Sequence, residues 1–127
     1  MLRKHVIIIA VMMVLLALGF AFSACKPSGP SLDTDKGVYA PGETISVTFS
    51  APAGLSTDAW VGIIPSNVPH GDEAQNDTYD LTYQYLNGMT TGTIVFSAPL
   101  LPGTYDFRMN DSDNNGKEIA SVTFTVQ

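Results

Sequence analysis

Three groups of residues have types and spacings that suggest chemistry. His70 stands beside Asp72 and Glu73, an imidazole next to two carboxylates. That is donor chemistry for a transition metal, or, with a hydroxyl such as Ser66, for activating a nucleophile. Asp111-Ser-Asp-Asn-Asn-Gly116 sets oxygen side chains at Asp111, Asp113 and Asn115 and then a glycine, like the first half of a calcium loop. Tyr79, Tyr83 and Tyr85 offer aromatic faces that stack on sugar rings while neighbouring Asp and Asn bond the hydroxyls. Each has a plainer reading. No second His or Cys follows Cys25 to complete a tetrahedral metal site, and Ser66 is close to His70 in sequence. The twelfth position of a calcium loop would need a bidentate acid and holds Val122, so Asn115-Gly116 also reads as a hairpin tip. The tyrosines are better read as the inner face of the sandwich. Asp72, Glu73, Asp77 and Asp80 read as a solvated loop rather than paired glycosidase carboxylates. No catalytic constellation emerges, and no cofactor is implied.

These residues belong to a chain of two unlike parts. Of its 127 residues, the first five include Arg3 and Lys4, and Val6–Phe22 is an apolar run without charge. A basic start, an apolar run and a small-residue junction form an export signal over residues 1–24. The part after Ala24 holds four basic residues (Lys26, Lys36, Arg108, Lys117) against all twelve acids, eight net negative charges. That balance repels phosphates and excludes nucleic acid as a partner. It also disfavours direct docking on anionic lipid headgroups. The single cysteine, Cys25, rules out an intrachain disulfide, so the fold must rest on its core.

Phe22-Ser-Ala-Cys25 resembles the lipobox of bacterial lipoprotein precursors, with Phe22 where leucine is usual. The resemblance implies cleavage after Ala24 and a diacylglyceryl group on the Cys25 sulfur, commonly with acylation of the new N-terminus. Two or more acyl chains hold a protein durably on a membrane. Lys26-Pro-Ser-Gly-Pro-Ser31 then serves as a flexible tether, making 25–31 a lipidated linker. Lys26 stands where Asp would retain a lipoprotein at the inner membrane, which favours the outer membrane in a cell that has one. An uncleaved anchor with an incidental cysteine is the alternative.

Residues 32–127 alternate with period two and are broken by turn residues, as strands are. Strands are expected at Glu43–Ser50, Ala59–Ile64, Leu81–Leu86, Gly92–Ser97, Thr104–Asn110 and Ile119–Val126, with a weaker edge strand over Leu32–Lys36. About seven strands at this spacing predict an all-β fold, a single immunoglobulin-like Greek-key sandwich. Trp60 is expected in its core. Tyr105, after Leu101-Pro-Gly, matches the approach to a tyrosine corner. The longest connection, Ser66–Tyr79, is expected to hold at most a helical turn. Its Val68, Pro69, His70, Asp72 and Glu73 are the expected partner contacts.

Tyr39-Ala-Pro-Gly-Glu43, Asp58-Ala-Trp-Val-Gly-Ile63, Leu101-Pro-Gly-Thr-Tyr-Asp-Phe-Arg108 and Ala120-Ser-Val-Thr-Phe-Thr-Val126 together resemble the SKICH-like branch of immunoglobulin-like sandwiches. Ala59 is inserted here between the acid and the tryptophan of that pattern. The resemblance spans nearly the whole exported domain and implies an interaction or targeting module without intrinsic catalysis. The expected function is a lipid-anchored cell-envelope module that binds a protein or polymer. A carbohydrate-binding module and a calcium-stabilised adhesion or assembly subunit are the alternatives.

Overall fold

The computed structural model describes residues 29–127. The signal segment 1–24, Cys25 and the first part of the tether lie outside them. Strands β1 (Ser31–Thr34), β3 (Thr44–Ser50) and β6 (Thr91–Ser97) form one sheet in the order β1-β3-β6. Strands β2 (Val38–Tyr39), β4 (Trp60–Pro65), β5 (Thr82–Tyr85), β7 (Gly103–Asn110) and β8 (Glu118–Val126) form the other, ordered β2-β8-β7-β4-β5. A short helix, α1 (Glu73–Tyr79), lies in the β4–β5 connection. The fold is an immunoglobulin-like Greek-key β-sandwich. Among the described residues no helix is long and apolar enough to cross a membrane.

Alternation explains which side chains fill the space between the sheets. Ile45, Val47 and Phe49 of β3 and Ile94 and Phe96 of β6 face Val61, Ile63, Tyr105, Phe107, Met109, Phe124 and Val126 of the larger sheet, all buried. Phe96 meets Phe107 across the gap at 5.0 Å between ring centroids, and Phe107 stacks on Phe124 at 4.8 Å. Such pairs add about 0.5–1.5 kcal/mol each beyond their buried area.

Two tyrosines fix two of the places where the chain changes sheets. The Tyr105 hydroxyl donates to the Leu101 carbonyl at 2.7 Å, tying down the β6–β7 crossing as a tyrosine corner does. The Tyr39 hydroxyl donates to Asp35 Oδ1 at 2.7 Å and accepts from the Lys36 amide at 2.8 Å, holding the turn between β1 and β2. The sequence pattern indicates one edge strand over Leu32–Lys36 and none at Val38–Tyr39. In fact the chain leaves β3 after Thr34 and adds Val38–Tyr39 in parallel to β8.

β1 begins at Ser31 beside Ser50, and β6 begins nearby at Thr91, so the tether joins the pole that also holds the β5–β6 turn. Leu100, Leu101 and the end of β8 lie toward the opposite pole, since Ser97 pairs with Thr44 and Gly103 with Val126.

Candidate functional site

The outer face of the larger sheet holds side chains that a sandwich normally leaves in water. Register sets Ile64, Gly62 and Trp60 of β4 beside Asp106, Arg108 and Asn110 of β7, and Gly62 and Trp60 beside Tyr83 and Tyr85 of β5. One half of the face is therefore ionic and the other aromatic. The indole of Trp60 reaches over Gly62, where a Cβ would come within 2.6 Å of Trp60 Cζ3.

The β4–β5 connection folds down onto this face. Val68 joins Trp60 and Ile64 in a small apolar cluster separate from the main core. Trp60 is thus buried as expected, but under the connection rather than between the sheets. Arg108, fully buried, is the anchor. Its Nη2 donates to Asp106 Oδ2 at 2.8 Å and to the Val68 carbonyl at 2.7 Å, and its Nη1 to Asn76 Oδ1 at 2.9 Å and the Pro69 carbonyl at 3.1 Å. Asp106 Oδ1 also accepts from Ser66 Oγ at 2.7 Å and Thr123 Oγ1 at 2.8 Å. Burial pushes the Asp106 carboxyl up, but the donors from Arg108, Ser66 and Thr123 outweigh it and hold it below its ordinary value. Asn76 donates to Asn110 Oδ1 at 2.9 Å and Glu118 Oε1 at 3.0 Å, and so seats α1.

The helix starts at Asp72, whose carboxylate accepts from the Ala74 amide, and ends at Asp80 in extended backbone. Its first residue, Glu73, is 2% exposed and accepts from Trp60 Nε1 at 3.2 Å and the Gly116 amide at 3.3 Å. Carboxylate oxygens of Glu73, Asp77 and Asp113 lie within 4.8 Å of one another. Burial, followed by repulsion from Asp77 and Asp113, raises the carboxyls of both Glu73 and Asp80 despite the hydrogen bonds that oppose it at Glu73. The Tyr85 hydroxyl donates to Asp113 Oδ2 at 2.6 Å, which raises that phenol well above its usual range.

The packing divides the expected contact residues into buried and exposed ones. Val68 and Glu73 are buried, because one fills the cluster under the connection and the other receives the indole N–H. Pro69, His70 and Asp72 remain exposed, but Pro69 gives its carbonyl to Arg108 and Asp72 caps α1. His70 lies over the ionic cluster, its Nδ1 2.6 Å from Glu118 Oε2 and its Nε2 3.3 Å from Asp106 Oδ2. Ser66 donates to Asp106 rather than to His70, so the carboxylate lies between the hydroxyl and the imidazole. A nucleophile needs its base directly at the hydroxyl, which this order does not provide.

The residues of the calcium-loop pattern face different partners. Asp111 Oδ1 accepts from the Lys117 amide at 2.8 Å within its own turn, while Asp113 reaches Tyr85. Asn115 takes φ 53°, the left-handed conformation of a hairpin tip. Of the three tyrosines, Tyr83 and Tyr85 share the outer face of β5, whereas Tyr79 sits on α1. Tyr83 is 48% and Tyr85 37% exposed, their rings 5.4 Å apart and inclined by 77°. They do not belong to the interior of the sandwich.

The sequence reading missed Arg108, Asp106, Asn76 and Asn110. The alternation of Asp106, Arg108 and Asn110 with Tyr105, Phe107 and Met109 marks an outward face, and outward polar residues read as solvated. The length of the β4–β5 connection was the one signal that something covers them. No protein-family model matches this chain, and no curated protein matches it either.

Proposed function

We propose that this domain is a non-catalytic binding module, held at the cell envelope by lipid on Cys25, whose contact surface is the free edge of β5 rather than the Ser66–Tyr79 connection. The observation that carries the reading is the exposure of Tyr83 and Tyr85 on an edge strand while the adjacent connection is packed down by Arg108. Exposed aromatics are enriched where proteins meet partners. A carbohydrate reading draws on the same tyrosines. Rings inclined by 77° do not form the flat row on which successive sugars stack, so a polypeptide partner is the better fit.

A photo-crosslinking amino acid placed at Tyr83 tests the reading in whole cells, with Thr48 on the outer face of the other sheet as control. An adduct with a polypeptide at position 83 and not at 48 supports it. Equal labelling at both positions, or none at 83, refutes it. Intact mass of the membrane-extracted protein tests the anchor: it should begin at Cys25 and carry fatty acyl mass, and Cys25→Ser should leave an uncleaved precursor.

A further inference from the structure

β5 is an edge strand whose main guard is its length of four residues. It pairs with β4 on one side, so half of its peptide groups have no strand partner. Natural edges are guarded by Lys, Pro, bulges or a covering element. Thr82-Tyr-Gln-Tyr85 contains neither Lys nor Pro, and every one of its residues is exposed. The facing edge of the other sheet is treated differently: Gln84 Nε2 donates to the Val95 carbonyl at 2.6 Å, closing part of β6.

The surroundings of this edge are acidic and uncompensated. Asp113 reaches Tyr85, and Glu73 and Asp77 gather around Asp113. Asp80, which feels the charges of both Asp77 and Asp113, precedes the strand by two residues. The ion pairs among the described residues lie elsewhere: Lys36 with Glu43, and Arg108 and His70 with Asp106 and Glu118. Among the described residues no cation pairs with any of the four carboxylates at the β5 edge.

We infer that the β5 edge takes up an extended, basic segment of a partner protein, which pairs with it as an added strand and sets Lys or Arg side chains against Tyr83, Tyr85 and the carboxylates of Asp77 and Asp113. This rests on the reading of β5 as the contact surface and specifies its partner. Main-chain hydrogen bonds to the free edge supply the attachment, and alternate side chains supply the choice of sequence. In an added strand every second side chain falls on the outer face, the face that holds both tyrosines. A cation there meets ring faces and carboxylates together, through cation–π attraction and charge-assisted hydrogen bonds.

The test uses the full-length acylated protein in non-ionic detergent and four probes. These are a short peptide alternating lysine and threonine, its glutamate-for-lysine counterpart, the lysine peptide N-methylated at alternate amides, and a linear neutral oligosaccharide. Fluorescence anisotropy or competition gives the affinities, and amide exchange gives the location. The lysine peptide should bind and slow exchange at Thr82–Tyr85. The glutamate and methylated peptides should bind at least about tenfold more weakly, as loss of charge complementarity or of strand hydrogen bonds demands. Asp77→Asn combined with Asp113→Asn should weaken the lysine peptide by a similar factor while the melting temperature is retained. The inference is overturned by equal binding of the glutamate or methylated peptide, by binding of the oligosaccharide alone, by protection at another edge, or by no binding at all. Were the lysine peptide to fail while position 83 still crosslinks to a polypeptide in cells, the contact surface would stand and only the partner chemistry would fall.

Discussion

Replacing Arg108 with Ala should detach the β4–β5 connection from the sheet. The guanidinium is fully buried and makes two bonds to Asp106, one to Asn76 and one each to the carbonyls of Val68 and Pro69. Removing one member of a buried ion pair leaves the other charged and uncompensated, at a cost of about 3–5 kcal/mol. Ser66 and Thr123 still donate to Asp106, which keeps the expected loss near the middle, about 4 kcal/mol. For a domain of this size each kcal/mol at the midpoint moves Tm by roughly 4–8 °C, so a fall of roughly 15–30 °C follows. Urea denaturation measures the loss. The slope of the transition should also fall, because a detached connection already exposes surface in the folded state. Amide exchange over residues 66–76 should accelerate more than exchange in β3 or β6. Arg108→Lys keeps the charge but not the planar fork, and should recover only a minor part of the stability. A loss below about 1 kcal/mol, or unchanged exchange over 66–76, would refute the anchoring role of Arg108.

Tyr105→Phe removes the hydroxyl bond to Leu101 and should lower stability by about 1 kcal/mol, read from the urea midpoint, without altering the slope. The pH profile of Tm should have two limbs. Glu73 has its folded pKa raised above the ordinary 4.5, so the folded state takes up that proton first and stability rises as pH falls from neutral toward that range. Asp106 has its folded pKa lowered below 3.8, so its contribution is present above that value and is lost as pH falls further. Glu73→Gln should flatten the first limb and leave the second, as thermal melts between about pH 7 and 3 would show.

Most of the sandwich was legible because its strands bury one face. Ile45, Val47 and Phe49, or Phe124 and Val126, can alternate only if a core lies on one side, and the turn residues set the breaks. Tyr105 was legible for a related reason, since its place after Leu101-Pro-Gly is local. What failed was long-range. The two-residue parallel pairing of β2 with β8 has no periodicity to detect. Arg108 and Val68 are forty residues apart, and nothing local says that the β4–β5 connection returns to cover the outward side of β7. The polarity of Asp72, Glu73 and Asn76 suggested solvent, yet Glu73 and Asn76 are buried because Trp60 and Arg108 offer them donors. Asp113 was read with Asp111 and Asn115, its sequence neighbours, while the fold sets it among Tyr85, Glu73 and Asp77.

The sheet switch between β1 and β2 has a mechanical consequence. Tension on the leading end enters at Ser31, at the pole where β1 begins, and can act along the strand. A pull along that line loads the four β1–β3 register pairs, Ser31↔Ser50 to Thr34↔Val47, side by side in shear rather than opening them one after another. Past the turn held by Tyr39, the same tension meets the parallel pairing of Val38–Tyr39 with Thr125–Val126, again along the strand direction. Load on the leading end is thereby divided between the sheets at two successive clasps, β3 taking it at the first and β8 at the second.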